Sequence, residues 1–531
     1  MGQPIPPNSA YPPQGGSGPP QWQQGPPQGG PPQGPPPGGP PGQPPGQPPM
    51  GGPPPGGPPG PPPMGPGGMG PGGTGPGRRR QQKSKTGVIV AAVLAVVLIA
   101  GGGIWFATSG GDGGKGGDAA SDAAAAKVVN KVPMPKVNDE TVAKGMWTTD
   151  KNFVKAGVKE IVGYPLSGGQ AEWKIPLDGN LCWSSSYVTK DGQVAVLFEN
   201  GKDSDPECTQ VGVVDVHKGK LLWQKQAVDS WGDTMDFDEV TMGGGTVAAG
   251  GTSGGVAWSA EGRQLWAPGE DDQCDDEGYA GSEEKLVVVR ECGDADPPAL
   301  RVQTLDPASG EAKSTYKLPS GPEYVHVASV DPLLIGVDTG DAEPGASVTD
   351  FMTIDDSAAQ GKLLSKIDIL ADAYELDCPA VNVDGCTEFA LDKGTSTLYL
   401  GSDQTPDEQY DVGNKIVAFD LKTGKKTGQS KMEKGVALVP IGLDEKGAVL
   451  AYQEATTAGG GGVWRVDPKT FKTEKLLQHP ADTAEMEGSF SSDRRLLYTG
   501  KKLYLGDDLA RRRSADVSGD RPLAVIFGPG S

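Results

Sequence analysis

VGVVDVHKGKLLW, residues 211–223, sets an alternating apolar run against a tight turn and a second run that ends in Trp223. Val211, Val213 and Asp215 fall on one side of an extended chain, the period of a strand with one face buried. Asp215 and Gly219 bracket the turn. An Asp side chain caps such a loop, and Gly supplies the positive φ that a tight hairpin needs. The Trp that follows is a large anchor suited to the space between two packed sheets. His217 sits in the turn itself, where solvent exposure is expected rather than catalysis.

The same unit recurs along the chain. IVGYPLSGGQAEW (161–173) aligns on it without gaps, and VAWSAEGRQLW (256–266) repeats its ending one residue shorter. Further copies are VQTLDPASGEA (302–312), MTIDDSAAQGKL (352–363), IVAFDLKTGKK (416–426) and VWRVDPKTFKT (463–473). The turn glycines are Gly169, Gly219, Gly262, Gly310, Gly361 and Gly424, with Phe471 in the seventh slot, at steps of 43 to 63 residues. Between the turns lie GQVAVLFEN (192–200), EKLVVVRE (284–291), STLYLGS (396–402) and GAVLAYQE (447–454), each a further strand. KLLSKIDILADAYEL (362–376) tempts as a helix but is short and flanked by turn residues.

About four strands per unit at this period describe propeller blades, so the repeat-bearing region is expected to be an all-β propeller of seven blades, with eight as the alternative. DRRLLYTGKKLYLG (493–506) supplies two strands but no turn-Trp hairpin, and WTTDKNFVKAG (147–157) opens the domain. The two chain ends are therefore expected to share one blade and close the ring.

The unit resembles the repeat of the PQQ-like, quinoprotein-type β-propellers, a superfamily that includes quinoprotein alcohol dehydrogenases and BamB-type outer-membrane assembly lipoproteins. IVAFDLKTGK and VGVVDVHKGKLLW carry the likeness best, and it covers about residues 145–507. The layout as a whole is similar to that of single-pass actinobacterial membrane proteins. The resemblance implies a fold and is nearly silent on function. Quinoprotein dehydrogenases hold PQQ beside Ca²⁺ at the propeller centre, often with a pair of adjacent cysteines. This sequence has no adjacent cysteines, so no catalytic or cofactor residue is carried over and no cofactor is expected.

Upstream the composition changes. Of the 51 Pro and 83 Gly, 31 Pro and 25 Gly crowd into the first 77 residues, which contain no Asp, Glu, Lys or Arg and only Tyr11 and Trp22 as aromatics. Such a stretch has almost nothing to bury against the entropy of folding and is expected to be disordered coil with short polyproline II. Residues 87–107, GVIVAAVLAVVLIAGGGIWFA, carry no charge and no polar side chain. A helix of that length, at 1.5 Å per residue, spans about the ~30 Å of a bilayer core. Arg78, Arg79, Arg80, Lys83 and Lys85 precede it, which places the N-terminus in the cytoplasm and the propeller outside. The division expected is a proline-rich cytoplasmic tail (1–86), a transmembrane signal-anchor helix (87–107), a flexible Gly/Ala/Asp linker (108–140), the propeller (141–507) and a C-terminal extension (508–531).

All six cysteines lie beyond the apolar segment: Cys182, Cys208, Cys274, Cys292, Cys378 and Cys386. Fifteen pairings are open, and sequential pairing is favoured because each pair brackets a short stretch within one repeat. An even count on the oxidising side of a membrane reads as disulfides. Zinc is not expected, since no CxxC spacing exists and the chain has only three histidines, His217, His326 and His479. The first 86 residues hold five basic and no acidic residues, so the net −21 of the chain leaves −26 on the remainder. That excess excludes nucleic acid as a partner and serves solubility.

EDDQCDDEG (270–278) offers Asp271, Asp272, Asp275 and Asp276 as candidate Ca²⁺ ligands, and DTMDFDE (233–239) is a second acidic cluster. Neither has the spacing of a calcium loop. No GxSxG elbow supports a hydrolase. The reading is a membrane-anchored, non-catalytic module whose loops bind an extracytoplasmic protein, glycan or small ligand, with a cytoplasmic partner for the proline-rich tail as a further option. The alternatives are a PQQ- or Ca-dependent tethered oxidoreductase and the sensor subunit of a signalling pair.

Overall fold

A computed structural model of the chain describes residues 123–530, apart from segments 202–205, 252–253, 270–272, 294–298, 339–347, 371–373, 380–381, 404, 407–411, 458, 491–492 and 513–520. The proline-rich tail and the apolar stretch 87–107 lie outside the described residues. Among those described, no helix is long and apolar enough to cross a membrane.

The described chain is almost wholly strands, gathered into eight four-stranded antiparallel units. Their first strands are Met146–Thr148, Leu181–Ser184, Glu239–Gly243, Cys274–Gly281, Tyr324–Val330, Phe389–Asp392, Leu438–Leu443 and Arg494–Thr499. The sequence placed no helix at 362–376, and Lys362–Asp368 is the outer strand of the fifth unit.

Eight apolar clusters join each unit to the next. Val154 and Ile161 of the first pack with Leu181 and Val194 of the second. The same kind of contact links units two and three, three and four, four and five, five and six, six and seven and seven and eight. The last cluster returns to the beginning: Tyr504, Ala524 and Ile526 of the eighth unit pack on Phe153 of the first, with the Tyr504 and Phe153 rings stacked at 5.0 Å. The ring closes. It is an all-β propeller.

The count is eight blades rather than seven, and the reason is local. Met146–Thr148 and Asn152–Ala156 complete the hairpin at 161–173 into a blade of its own. The strands at 494–499 and 502–507 therefore need a separate outer pair, which the two chain ends supply. Pro522–Pro529 pairs with Lys502–Asp507, and Ala124–Pro133 pairs antiparallel with Pro522–Pro529, placing Val128 opposite Phe527. Ala124 and Ala125 also run parallel beside Leu477 and Gln478 of the seventh blade. The stretches read as linker (108–140) and C-terminal extension (508–531) thus each hold a strand of the last blade.

The repeated turns do what their residues suggest. Trp173, at the head of an outer strand, lies beneath the turn of the next blade, where Gly219 has φ +61° and a Cβ would stand 2.4 Å from the indole. Trp223 meets Gly262, and Trp266 meets Gly310, in the same relation. Trp223 also donates its indole N–H to the carbonyl of Ala260 at 2.7 Å. Phe471, in the slot without glycine, still adopts φ 55°.

Three disulfides follow the sequential pairing: Cys182–Cys208, Cys274–Cys292 and Cys378–Cys386. The first ties an inner strand to the loop before an outer pair, the second bridges facing positions of adjacent strands, and the third closes a short loop ahead of the sixth blade.

Candidate functional site

That short loop reaches across the ring. Asp377 and Thr387 exchange backbone hydrogen bonds at its neck, beside the Cys378–Cys386 bond. Beyond the neck, the Val383 and Asp384 amides donate to Glu239 Oε2 of the third blade at 2.9 and 3.3 Å. The Val383 carbonyl accepts from the Val327 amide of the fifth blade at 2.8 Å. Asn382 gives its side-chain N–H to the Asp238 carbonyl, and its own carbonyl meets His326 Nδ1 at 2.8 Å. Gly385, at φ +129°, lies against Lys144 and Trp183 of the first two blades; a Cβ there would stand 3.1 Å from Lys144 Nζ. A loop belonging to blade six is thereby fastened to blades one, two, three and five, and it caps the ring at the end where the inner strands begin.

Charge collects under this cap. Glu239 is 1 % exposed and also accepts the Tyr279 amide at 2.8 Å. Burial, and then the charge of Asp384, push its carboxyl well above the usual range, while the three backbone N–H groups pull the other way. Asp508 holds Arg495 Nε at 2.9 Å and Lys144 Nζ at 3.6 Å. Lys144 Nζ also stands 3.7 Å from the Trp183 ring centroid, a cation–π contact. Burial and neighbouring Arg495 lower its amine to about 8. Lys155 is likewise brought down to about 8 by burial, with its ammonium bonded to the carbonyls of Ala143, Gly145 and Ala156. Arg494 bridges Glu388 and Glu454 at 2.9 and 2.7 Å.

Between the cap loop and the eighth blade lies a cavity of about 90 Å³. Lys144, Trp183, Asp377, Thr387, Arg495 and Asp508 are among its walls. Three of these residues carry a buried polar atom with no hydrogen-bond partner: Trp183 Nε1, Thr387 Oγ1 and Asp508 Oδ1. Asp377 is raised to about 7 by burial and by the nearby Glu388 and Asp493. A larger groove, about 640 Å³, runs beside residues 132–139 and the first blade. Lys155 is the one deeply buried ionisable side chain on its wall, and it is fully bonded.

The sequence-derived candidates are dispersed. Asp271 and Asp272 lie outside the described residues. Asp276 is buried and engaged by Arg290 and the Tyr279 hydroxyl, and Asp275 is its neighbour on the strand Cys274–Gly281. Among the described residues no group of three or more His, Cys, Asp or Glu side chains is placed to hold a metal ion. His217 is exposed in its turn. Glu239, the last residue of the cluster 233–239, points inward to backbone amides instead of sharing a cation. Lys144, Trp183, Asp377, Thr387, Arg495 and Asp508 carried no motif. The one available signal was the close spacing of Cys378 and Cys386 around Pro379, Asn382 and Gly385.

No protein-family model matches the chain, and no curated protein matches it. Solved structures similar to it include BamB from Moraxella catarrhalis, at 11% identity and a TM-score of 0.39, covering 74% of this chain and 99% of that one. U3-55K is similar at 12% identity and a TM-score of 0.35, over 75% and 100% of the two chains. The Cps50 (Swd1) β-propeller domain of Myceliophteria thermophila gives 10% and 0.36, over 64% and 100%. The propeller assignment rests on the eight sheets and the closed circuit of core clusters, not on these likenesses.

Proposed function

We propose that the protein is a membrane-anchored, extracytoplasmic propeller that acts as a non-catalytic binding platform, with the capped end of the ring as its recognition face. The observation that supports this most is the cap itself. A disulfide-clamped loop is fixed to four other blades, and beside it a small cavity is walled by residues whose buried polar atoms lack partners. Rigid loops on a rigid scaffold are how such folds present binding groups. The anchoring rests on the uncharged stretch 87–107 and the basic residues before it, and the three disulfides suit an oxidising compartment.

Three measurements test the reading. Protease added to intact cells should digest the propeller and spare the proline-rich tail; protection of the propeller would reverse the topology. The full chain in nanodiscs should be stabilised against heat by a fraction of cell-envelope extract. A melting temperature indifferent to every protein, glycan and small-molecule fraction would remove the binding role. Dye-linked oxidation of alcohols and sugars with added PQQ and Ca²⁺ is expected to show no turnover, and turnover would make the chain an oxidoreductase.

A further inference from the structure

Acidity is not spread evenly round the ring. Residues 177–492, which build blades two to seven, hold 25 basic and 55 acidic side chains, a net −30. Residues 124–176 and 493–531, which build blades one and eight, hold 16 basic and 10 acidic side chains, a net +6. Two adjacent blades of a strongly acidic protein are therefore basic.

Much of the acid in this sector is engaged within it. Glu140 and Asp493 are held by Arg511, Glu160 by Lys174, Asp507 by Arg521 and Asp508 by Arg495. The surface lysines are not matched in the same way. Lys127, Lys136, Lys151, Lys159 and Lys501 are exposed, and among the described residues none of them has a carboxylate partner. They come from separate stretches of chain that the fold gathers. Lys136, Lys159 and Lys174 border the groove beside residues 132–139. Lys127 is the strand partner of Gly528, and Lys502 lies across that same glycine.

Lysines spread over two blades suit an anion presented as a sheet rather than as a point. A bilayer face with anionic headgroups is such a sheet, and the chain enters the ring in this sector. Sixteen residues separate the apolar stretch 87–107 from the strand Ala124–Pro133, a reach of at most about 55 Å. That tether holds the basic blades at high local concentration near the bilayer. Each lysine brought close to an anionic surface favours contact about fivefold. Charge is screened over about 8 Å at physiological ionic strength, so headgroups touching blades one and eight respond to their lysines and little to the other six blades.

We propose that blades one and eight form a docking surface for a bilayer face rich in anionic lipid, with Lys127, Lys136 and Lys159 among its contacts. The proposal rests on the membrane-anchored reading and goes beyond it by giving the ring an orientation, basic sector down and acidic blades away.

The test is acetylation of lysines in the full chain, read residue by residue by mass spectrometry, in nanodiscs of phosphatidylcholine with or without phosphatidylglycerol. Lys127, Lys136 and Lys159 should react several-fold more slowly in the anionic discs. About 1 M NaCl, where screening shortens to about 3 Å, should abolish the difference. Lys317 and Lys425, exposed on blades four and six, should react alike in both discs. The triple variant Lys127→Glu, Lys136→Glu, Lys159→Glu should keep the parent's melting temperature and lose the slowing at Lys151 and Lys501. Equal rates in the two discs, slowing that survives salt, or equal slowing of Lys317 and Lys425 would each overturn the proposal. A chain that elutes apart from the discs would discard the anchor. Sedimentation with phosphatidylglycerol vesicles would then decide the surface alone: salt-sensitive pelleting would support it, and no pelleting would overturn it.

Discussion

Asp377 and Glu239 are both carboxyls drawn out of water at the capped end, and burial raises both above the ordinary carboxylate range. Asp377 is raised to about 7 in the folded chain, against 3.8 for an ordinary side chain. Between those values the native state keeps a proton that the unfolded chain has lost, so stability falls as pH rises through this window and the full cost is present above 7. Asp377→Asn should therefore match the parent near pH 4 and exceed it at pH 8, by on the order of 1–2 kcal/mol once partial exposure is allowed for. Urea unfolding at the two pH values checks this; an identical difference at both would show that the carboxyl does not titrate as described. Glu239 is fastened by three amides, and Gln must turn an amino group toward one set of those donors. Glu239→Gln should cost about 2 kcal/mol, and Glu239→Ala more, since it leaves all three amides dry; a Gln variant as stable as the parent in urea would show the amides satisfied without a carboxylate. In the sequence Glu239 was one acid among several in DTMDFDE. Nothing local distinguishes it, because its partners are backbone groups 40 and 144 residues further on. The chemistry of the site was illegible for that reason: it is made by contacts between blades, whereas a motif is made by neighbours in sequence.

Hairpins, by contrast, are local objects, and their pattern survives in the sequence even where a residue departs from it. Phe471 occupies the slot of a turn glycine, yet the backbone there keeps a left-handed φ, so the flanking Asp467 and the strand pattern sufficed to mark the turn. What the turn glycine contributes can be divided by two substitutions. Gly219 combines φ +61° with a Trp173 ring in the path of a Cβ, whereas Gly447 has φ +78° and nothing within 4 Å. Gly447→Ala should cost about 1 kcal/mol from backbone conformation alone, and Gly219→Ala about 2–3 kcal/mol because the docked indole must also move. Equal costs in thermal unfolding would mean that the Trp–turn contact between blades contributes little. The cap loop is an element of another kind, short and covalently closed across 8 positions. Replacing Cys378 and Cys386 by Ser should lower stability by about 2.5 kcal/mol on chain-entropy grounds. It should also speed hydrogen exchange at the Val383 and Asp384 amides well beyond that at blade amides. Exchange unchanged at those two positions would show that the loop's hydrogen bonds to Glu239, Asp238, Val327 and His326 hold the cap without the disulfide.

At the scale of the ring, the sequence shows seven turn-bearing hairpins and the structure eight blades, and the difference is the closure. A hairpin is visible because its two strands are joined by a turn; the outer pair of the eighth blade is joined by nothing, since one strand begins at Ala124 and the other ends at Pro529. The expectation that the chain ends share a blade was correct in kind, but the opening strands at 146–156 already completed the first blade, so the shared one is additional. The strand 124–133 begins 17 residues beyond the apolar stretch that ends at 107, and it is the latch of the ring. Its removal has a definite consequence. Without it Pro522–Pro529, whose Val525, Ile526 and Phe527 are fully buried, becomes an edge strand with unpaired amides and uncovered apolar side chains, the arrangement that invites pairing with another chain. A chain beginning at residue 134 should melt several degrees below one beginning at 120 and should associate at micromolar concentration. A peptide of residues 123–133 added in excess should restore both properties by re-forming the pairs Val128–Phe527 and Val132–Ala524. Equal melting temperatures and a monomer by light scattering in the shorter chain would mean that the core shared by blades eight and one, where Tyr504 stacks on Phe153, closes the ring without its latch.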